Sequence, residues 1–115
     1  MLKFTAAQMH AISESRVDDF SHRLLAQMRT FFPEARVMTD EQGHAFIRRG
    51  FEHAAAYGIF SERDVARYVG LMLVWGEDFD KISLDPWIRS TLMDVELDPG
   101  YKLELLYDHA AREER

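Results

Sequence analysis

The chain has no cysteine, few lysines and no long apolar run, and each shortage excludes a class of protein. Without cysteine there is no disulfide, no thiolate nucleophile and no thiolate metal site. No stretch reaches the roughly 18 apolar residues that a membrane span needs. Residues 1–16 lack the continuous apolar segment of a signal peptide. These absences predict a cytoplasmic protein that does not enter a membrane.

Basic residues are also outnumbered. Twenty acids face 14 bases, and the formal net charge is −6. This balance repels a phosphate backbone, and Arg48-Arg49 is the one evident basic doublet, so the sequence predicts no nucleic-acid partner. An acidic surface suits a basic protein partner, although mild acidity is also common in proteins that have none.

The pattern of apolar residues predicts an all-α fold. A chain of 115 residues can bury its own core, and we expect residues 1–115 to form a single domain. No segment alternates polar and apolar residues with period two. About five helices are predicted, and their starts carry capping residues. These starts are Thr5 with Gln8, Thr39 with Gln42, Ser61 with Asp64, Asp85-Pro86 and Asp98-Pro99.

The helix predicted over Glu62 to Trp75 is the expected centre of this bundle. Its second half is apolar nearly all round, which is typical of a helix enclosed by its neighbours. Ser61 has the spacing of its N-cap, and Gly76 supplies a left-handed stop. In the preceding helix, Gly50 is small enough for the central helix to approach closely.

No catalytic motif is present. The chain has no serine in a nucleophile elbow and no glycine-rich phosphate loop. The sequence therefore predicts a protein that is not an enzyme, with no catalytic residues and no cofactor.

Two acid–histidine pairs have the spacing of a carboxylate-bridged metal bundle. Asp19 and His22 lie three residues apart, as do Glu41 and His44, so each pair shares a helix face. Such a site needs two more carboxylates in the core, and the pattern supplies none. Solvated pairs are the favoured interpretation, and a metal protein is the third alternative for the function.

The segment from Asp78 resembles a calcium loop only in part. Asp78 and Asp80 have the spacing of its first two ligands, and Ser83 and Asp85 follow them. Ile82 stands at a ligand position, however, and Ser83 replaces the glycine that makes the turn. The sequence therefore predicts no metal ligands.

The aromatic residues point instead to a partner. Eight phenylalanines, four tyrosines and two tryptophans are many for a small helical core. Phe79 and Trp87 lie in a loop and at a helix start, beside the acids Asp78 and Asp80. These four residues are the predicted partner-binding surface. The alternative is that Phe79 and Trp87 close the end of the bundle beneath Trp75.

One ordered set of residues resembles a known group of proteins. The set is Tyr57-Gly58-Ile59, Ser61, Asp64, Gly76, Phe79-Asp80, Pro86-Trp87 and Leu92. It is similar to small all-helical accessory proteins of bacterial type VI secretion effector clusters, over roughly residues 47–106. The resemblance implies an adaptor that helps to load a secreted effector, or alternatively an immunity protein that inhibits a toxic one. It implies no catalytic residues.

Overall fold

Helices are the only regular secondary structure in the described part of the protein. A computed structural model describes residues 6–82 and 85–113, and the side chains of 17–82 and 85–112. These residues form seven helices and no strand, which confirms the all-α prediction. The helices are α1 (Ala6–Phe31), α2 (Pro33–Arg36), α3 (Asp40–Ala56), α4 (Glu62–Trp75), α5 (Phe79–Ile82), α6 (Pro86–Met93) and α7 (Pro99–Glu113). No described helix has both the length and the apolar composition to cross a membrane.

Two of the seven helices lie where the sequence predicted loops. The four-residue α2 begins at Pro33, whose fixed φ suits a first helical position. The four-residue α5 follows Asp78, whose carbonyl accepts hydrogen bonds from the amides of Lys81 (2.9 Å) and Ile82 (3.0 Å). The prediction of about five helices missed both, because a single turn is too short to show a helical period.

The predicted caps account for most helix boundaries. Thr39 and Gln42 form a reciprocal capping box, with bonds of 3.0 and 3.1 Å between each backbone amide and the other side chain. The Ser61 hydroxyl accepts from the Asp64 amide at 3.1 Å. Gly58 stops its helix at φ +77°, and Gly76 at φ +103°. The predicted Thr5 cap lies outside the described residues.

Contacts along the chain divide it into two compact units, Met1–Arg48 and Arg49–Arg115. The sequence predicted one domain over residues 1–115. The division into two compact units does not test that prediction. In the first unit, α1 packs on α2. Its buried apolar side chains are Phe20, Leu24, Leu25, Met28, Ala35, Phe46 and Ile47.

The second unit is built on α4, which has the bounds that the sequence predicted. α7 packs on α4, and α6 packs on both α5 and α7. Gly50 of α3 allows the predicted close approach, since a Cβ there would lie 2.5 Å from Val69 Cγ2. One face of α4 is open, with Val74 49% exposed. The expectation of an apolar surface covered all round is therefore wrong at that position.

Candidate functional site

Trp87 is a partly exposed aromatic residue with a fixed position at the start of α6. Asp85 caps this helix and accepts a hydrogen bond from the Trp87 amide at 3.0 Å. The second carboxylate oxygen of Asp85 lies 2.7 Å from His109 Nε2. The His109 ring in turn packs on the Trp87 ring, with 4.7 Å between centroids. Trp87 still exposes 39% of its surface.

Phe79 and Asp80, two of the four residues predicted to contact a partner, are buried. Phe79 is 2% exposed and packs against Tyr68 and Trp75, at 5.2 and 5.5 Å between ring centroids. Asp80 is also 2% exposed. The prediction that these two residues lie on a partner-binding surface is wrong, because α5 turns them inward. Asp78 and Trp87 remain exposed.

Asp80 belongs to a group of polar side chains inside the second unit. The Tyr57 hydroxyl donates a hydrogen bond to Asp80 Oδ2 at 2.5 Å. The other oxygen, Oδ1, is buried without a hydrogen-bond partner in the described part of the chain. His53 Nδ1 and the Tyr68 hydroxyl are buried and unpartnered in the same way. Buried polar atoms in native proteins are nearly always satisfied, so three exceptions in one unit call for an explanation.

Three potential ligands converge in this group. Donor atoms of His53, Asp78 and Asp80 all lie within 4.8 Å of one another. Helix α3 supplies His53, and Tyr57 lies in the turn directly after the last residue of α3. Asp78 and Asp80 flank the first residue of α5. We call His53, Asp78 and Asp80 the His–Asp cluster.

Among the described residues, no lysine or arginine forms an ion pair with Asp78 or Asp80 of the His–Asp cluster. The positive charge of Arg89 acts on the adjacent Tyr57 without pairing with either carboxylate. The nearby Arg49 is bound to Glu77 instead, at 2.8 Å. Two carboxylates this close repel each other, and burial of an unpaired charge is costly. The arrangement therefore favours an added cation.

The carboxylates of the His–Asp cluster also contribute to the raised pKa values of two neighbouring tyrosines. Burial, reinforced by the negative charges of Asp80 and Asp78, raises the pKa of Tyr68. Burial and the hydrogen bond to Asp80 raise the pKa of Tyr57. Both phenols are therefore neutral at physiological pH, and Tyr57 acts as a hydrogen-bond donor to Asp80.

A buried lysine lies at another point of the second unit. Lys102 of α7 is 3% exposed, and its Nζ donates to the carbonyl oxygens of Tyr57 (3.1 Å) and Leu92 (2.8 Å). Burial lowers the pKa of this ammonium. Lys102 thus satisfies carbonyls near the ends of α3 and α6, a structural role that the sequence analysis did not assign.

The two acid–histidine pairs do not assemble a metal site among the described residues. The His22 and His44 rings do meet edge to face, with 4.5 Å between centroids. Asp19, however, bonds Arg23 at 3.3 Å on the surface, and Glu41 is exposed. The Ser83 position of the calcium-loop comparison lies outside the described residues.

Sequence reasoning missed His53 and misjudged Asp80. The sequence analysis gave His53 no role, yet its Nδ1 is buried. The spacing of His53 and Tyr57 was a usable signal, since it aligns a ligand with a tyrosine hydroxyl on one face. The burial of Asp80 had no such signal, because it depends on the short α5.

Comparison with models of protein families, with curated proteins and with solved structures finds no match for this chain. The resemblance to type VI secretion accessory proteins therefore stays a prediction.

Proposed function

We propose that the protein is a non-enzymatic binding module whose second unit holds another protein through the surface around Trp87. The observation that carries this proposal is the rigid support of a partly exposed tryptophan. Tryptophan is enriched among the residues that dominate binding energy at interfaces. A side chain that is already fixed loses little conformational entropy when a partner covers it.

The segment that packs on α6 also exposes an apolar and an acidic side chain. Helix α5 packs on α6 and exposes Ile82, which is 76% exposed. Asp78 precedes α5 and is exposed as well. An apolar contact beside acidic groups suits a partner with a basic rim, because complementary charge speeds association and excludes wrong partners.

The cellular role we propose is that of a cytoplasmic adaptor for a type VI secretion effector. It rests on the resemblance of the segment over residues 47–106 and on the net charge of −6, which disfavours nucleic acid. Under this proposal the partner is the effector or its chaperone.

An immunity protein is the alternative, and the acidic charge favours it if the toxin is basic. This alternative requires tight one-to-one inhibition of the toxin. Survival of toxin-expressing cells with and without the protein distinguishes the two roles. Rescue of growth supports immunity, whereas secretion that depends on the protein without rescue supports an adaptor.

The test of the binding surface is a comparison of Trp87→Ala with Tyr101→Ala in pull-downs from the native host. Tyr101 is a matched control, because it is an exposed aromatic residue of the same unit. We expect Trp87→Ala to lose at least about tenfold in affinity for the recovered partner, as hot-spot truncations do. Thermal melting of each variant separates a lost contact from a lost fold. Equal recovery by both folded variants would remove Trp87 from the interface.

A further inference from the structure

We propose that His53, Asp78 and Asp80 bind one divalent transition-metal ion, Mn²⁺, Fe²⁺ or Zn²⁺. This goes beyond the binding role of the Trp87 surface, and it concerns residues that neither acid–histidine pair contains. The proposal stands on three observations among the described residues: the convergence of the donor atoms, the lack of an ion pair from lysine or arginine to Asp78 or Asp80, and the unpartnered buried atoms.

The ligand spacing is within reach of a metal site. Bonds of about 2.1 Å from a metal to nitrogen and oxygen place neighbouring ligands roughly 3–4 Å apart. The donor atoms of the His–Asp cluster already lie within 4.8 Å of one another. Because Asp78 is exposed, rotation of its side chain can close the remaining gap.

We assign the metal bonds of His53 and Asp80 to their unpartnered atoms. Tyr57 occupies Asp80 Oδ2 and leaves Oδ1 available, and His53 Nδ1 has no partner. Asp80 is 2% exposed, so bulk water does not solvate its charge. A bound dication would satisfy both atoms and neutralise both carboxylates. Tyr57 would be a positioning residue, since a hydrogen bond to one carboxylate oxygen orients the other.

The donor set selects the class of ion. Mg²⁺ and Ca²⁺ prefer sites made of oxygen alone, whereas an imidazole nitrogen beside two carboxylates suits Mn²⁺, Fe²⁺ and Zn²⁺. Three protein ligands leave coordination positions open to water. By the general order of metal affinities, Zn²⁺ should bind more tightly than Mn²⁺.

The experiment titrates chelator-treated, full-length protein with Zn²⁺, Mn²⁺ and Ca²⁺ by calorimetry, and follows thermal melting with each ion. We expect one Zn²⁺ or Mn²⁺ per chain and a melting temperature that rises with ion concentration, because a ligand of the native state stabilises it. Less than about 0.2 ion per chain at saturation, with no melting shift, would overturn the proposal and leave the cluster as a hydrated or protonated network. A shift with Ca²⁺ but not with Zn²⁺ would contradict the imidazole ligand.

Single substitutions of the proposed ligands test where the ion binds. Removal of a residue that hydrogen-bonds to a metal ligand commonly lowers metal affinity about 10- to 100-fold. Asp80→Asn and His53→Gln each remove a direct ligand, so we expect each to lower the affinity at least about 100-fold. Asp78→Asn should also weaken binding, whereas Asp108→Asn, an exposed acid on α7, should not. Equal binding by Asp78→Asn, Asp80→Asn and Asp108→Asn would place the ion elsewhere and refute the site.

For each variant, the melting temperature of the metal-free protein and the ion affinity are measured separately, so that a change in folding is distinguished from a loss of the ion. Asn at position 80 can still accept the Tyr57 hydrogen bond while it removes a buried charge. We therefore expect metal-free Asp80→Asn to melt at or above the temperature of the metal-free parent, yet to lose the ion-dependent shift. Tyr57→Phe should weaken ion affinity about 10-fold or more even where its metal-free melting temperature is unchanged. Unchanged affinity in Tyr57→Phe would contradict the positioning role.

Discussion

The two compact units differ in where they place their polar groups. In Met1–Arg48, described charged side chains pair at the surface, either within α1 or between neighbouring helices. Arg29, for example, bonds Asp40 at 2.7 Å and the Met38 carbonyl at 2.8 Å. In Arg49–Arg115, charged side chains lie inside, namely Asp80 and Lys102. The Ser21 hydroxyl is buried and unpartnered in the first unit, but it carries no charge.

This contrast is the reason that both of our proposals concern the second unit. Surface ion pairs contribute little stability and ask for no explanation beyond solubility. Buried charges and unsatisfied donors lower stability, so a protein that retains them is expected to use them. We therefore expect mutations in the second unit to cause both larger losses and larger gains in the free energy of unfolding.

The largest predicted effect comes from Phe79→Ala. Removal of a ring packed between Tyr68 and Trp75 leaves a cavity, and we expect a loss of about 3–5 kcal/mol in the free energy of unfolding. Urea titration measures it. Ile82→Ala, in the same helix but exposed, is the matched control and should cost less than about 1 kcal/mol. Equal effects would show that α5 does not anchor the second unit.

A pair of glycine substitutions compares the packing of the two units. Gly50→Ala places a Cβ 2.5 Å from Val69 Cγ2, and a β-branched valine has few alternative rotamers, so we expect a loss of about 1–3 kcal/mol. Gly43→Ala approaches the flexible end of Leu25 at 2.6 Å and gains up to about 1 kcal/mol in helix propensity. Its net effect on urea unfolding should be smaller. The reverse order would contradict this comparison of the units.

Lys102→Met tests the buried lysine. The variant leaves the carbonyls of Tyr57 and Leu92 without their donor, and we expect a loss of about 1–3 kcal/mol at pH 7. Because burial lowers the pKa of Lys102 below its ordinary 10.5, the unfolded chain binds more protons as the pH approaches that value. The stability of the parent relative to Lys102→Met should therefore increase from pH 7 towards pH 10. The exposed Lys81→Met serves as control, and a gap that narrows over this range would contradict the assignment.

Tyr68→Phe should have the smallest effect at neutral pH. Its hydroxyl has no described partner, so its removal should change stability by less than about 0.5 kcal/mol, or increase it. The raised pKa of Tyr68 predicts stability that is complete below pH 10 and decreases above it, because only the unfolded tyrosine ionises there. Urea unfolding at pH 8 and pH 11 should show a smaller alkaline loss for Tyr68→Phe. A cost above about 1 kcal/mol at pH 8 would reveal a hidden partner.

Local signals in the sequence were sufficient to predict where the longer helices start and stop. The caps at Thr39 and Ser61 depend on neighbours three residues away, and the stops at Gly58 and Gly76 depend on a backbone angle that glycine favours. Both are properties of a short segment. The bounds of α4 follow from such signals alone, and the structure has the same bounds.

The candidate site required tertiary information. Whether Phe79 faces solvent or Trp75 depends on α5, a single turn whose direction no local pattern fixes. His53 and Asp80 lie 27 residues apart in two different helices, and only the tertiary structure brings their donor atoms together. Asp78 and Asp80 were recognised as possible ligands, but without His53 they matched only an incomplete calcium loop.

The most direct test of a functional interior in the second unit is a crystal grown with Zn²⁺ and measured at the zinc absorption edge. We predict one anomalous peak per chain, bonded to His53 Nδ1, Asp80 Oδ1 and Asp78 at about 2.0–2.2 Å. A map at this wavelength without a peak among those three side chains, from protein saturated with zinc, would contradict the account.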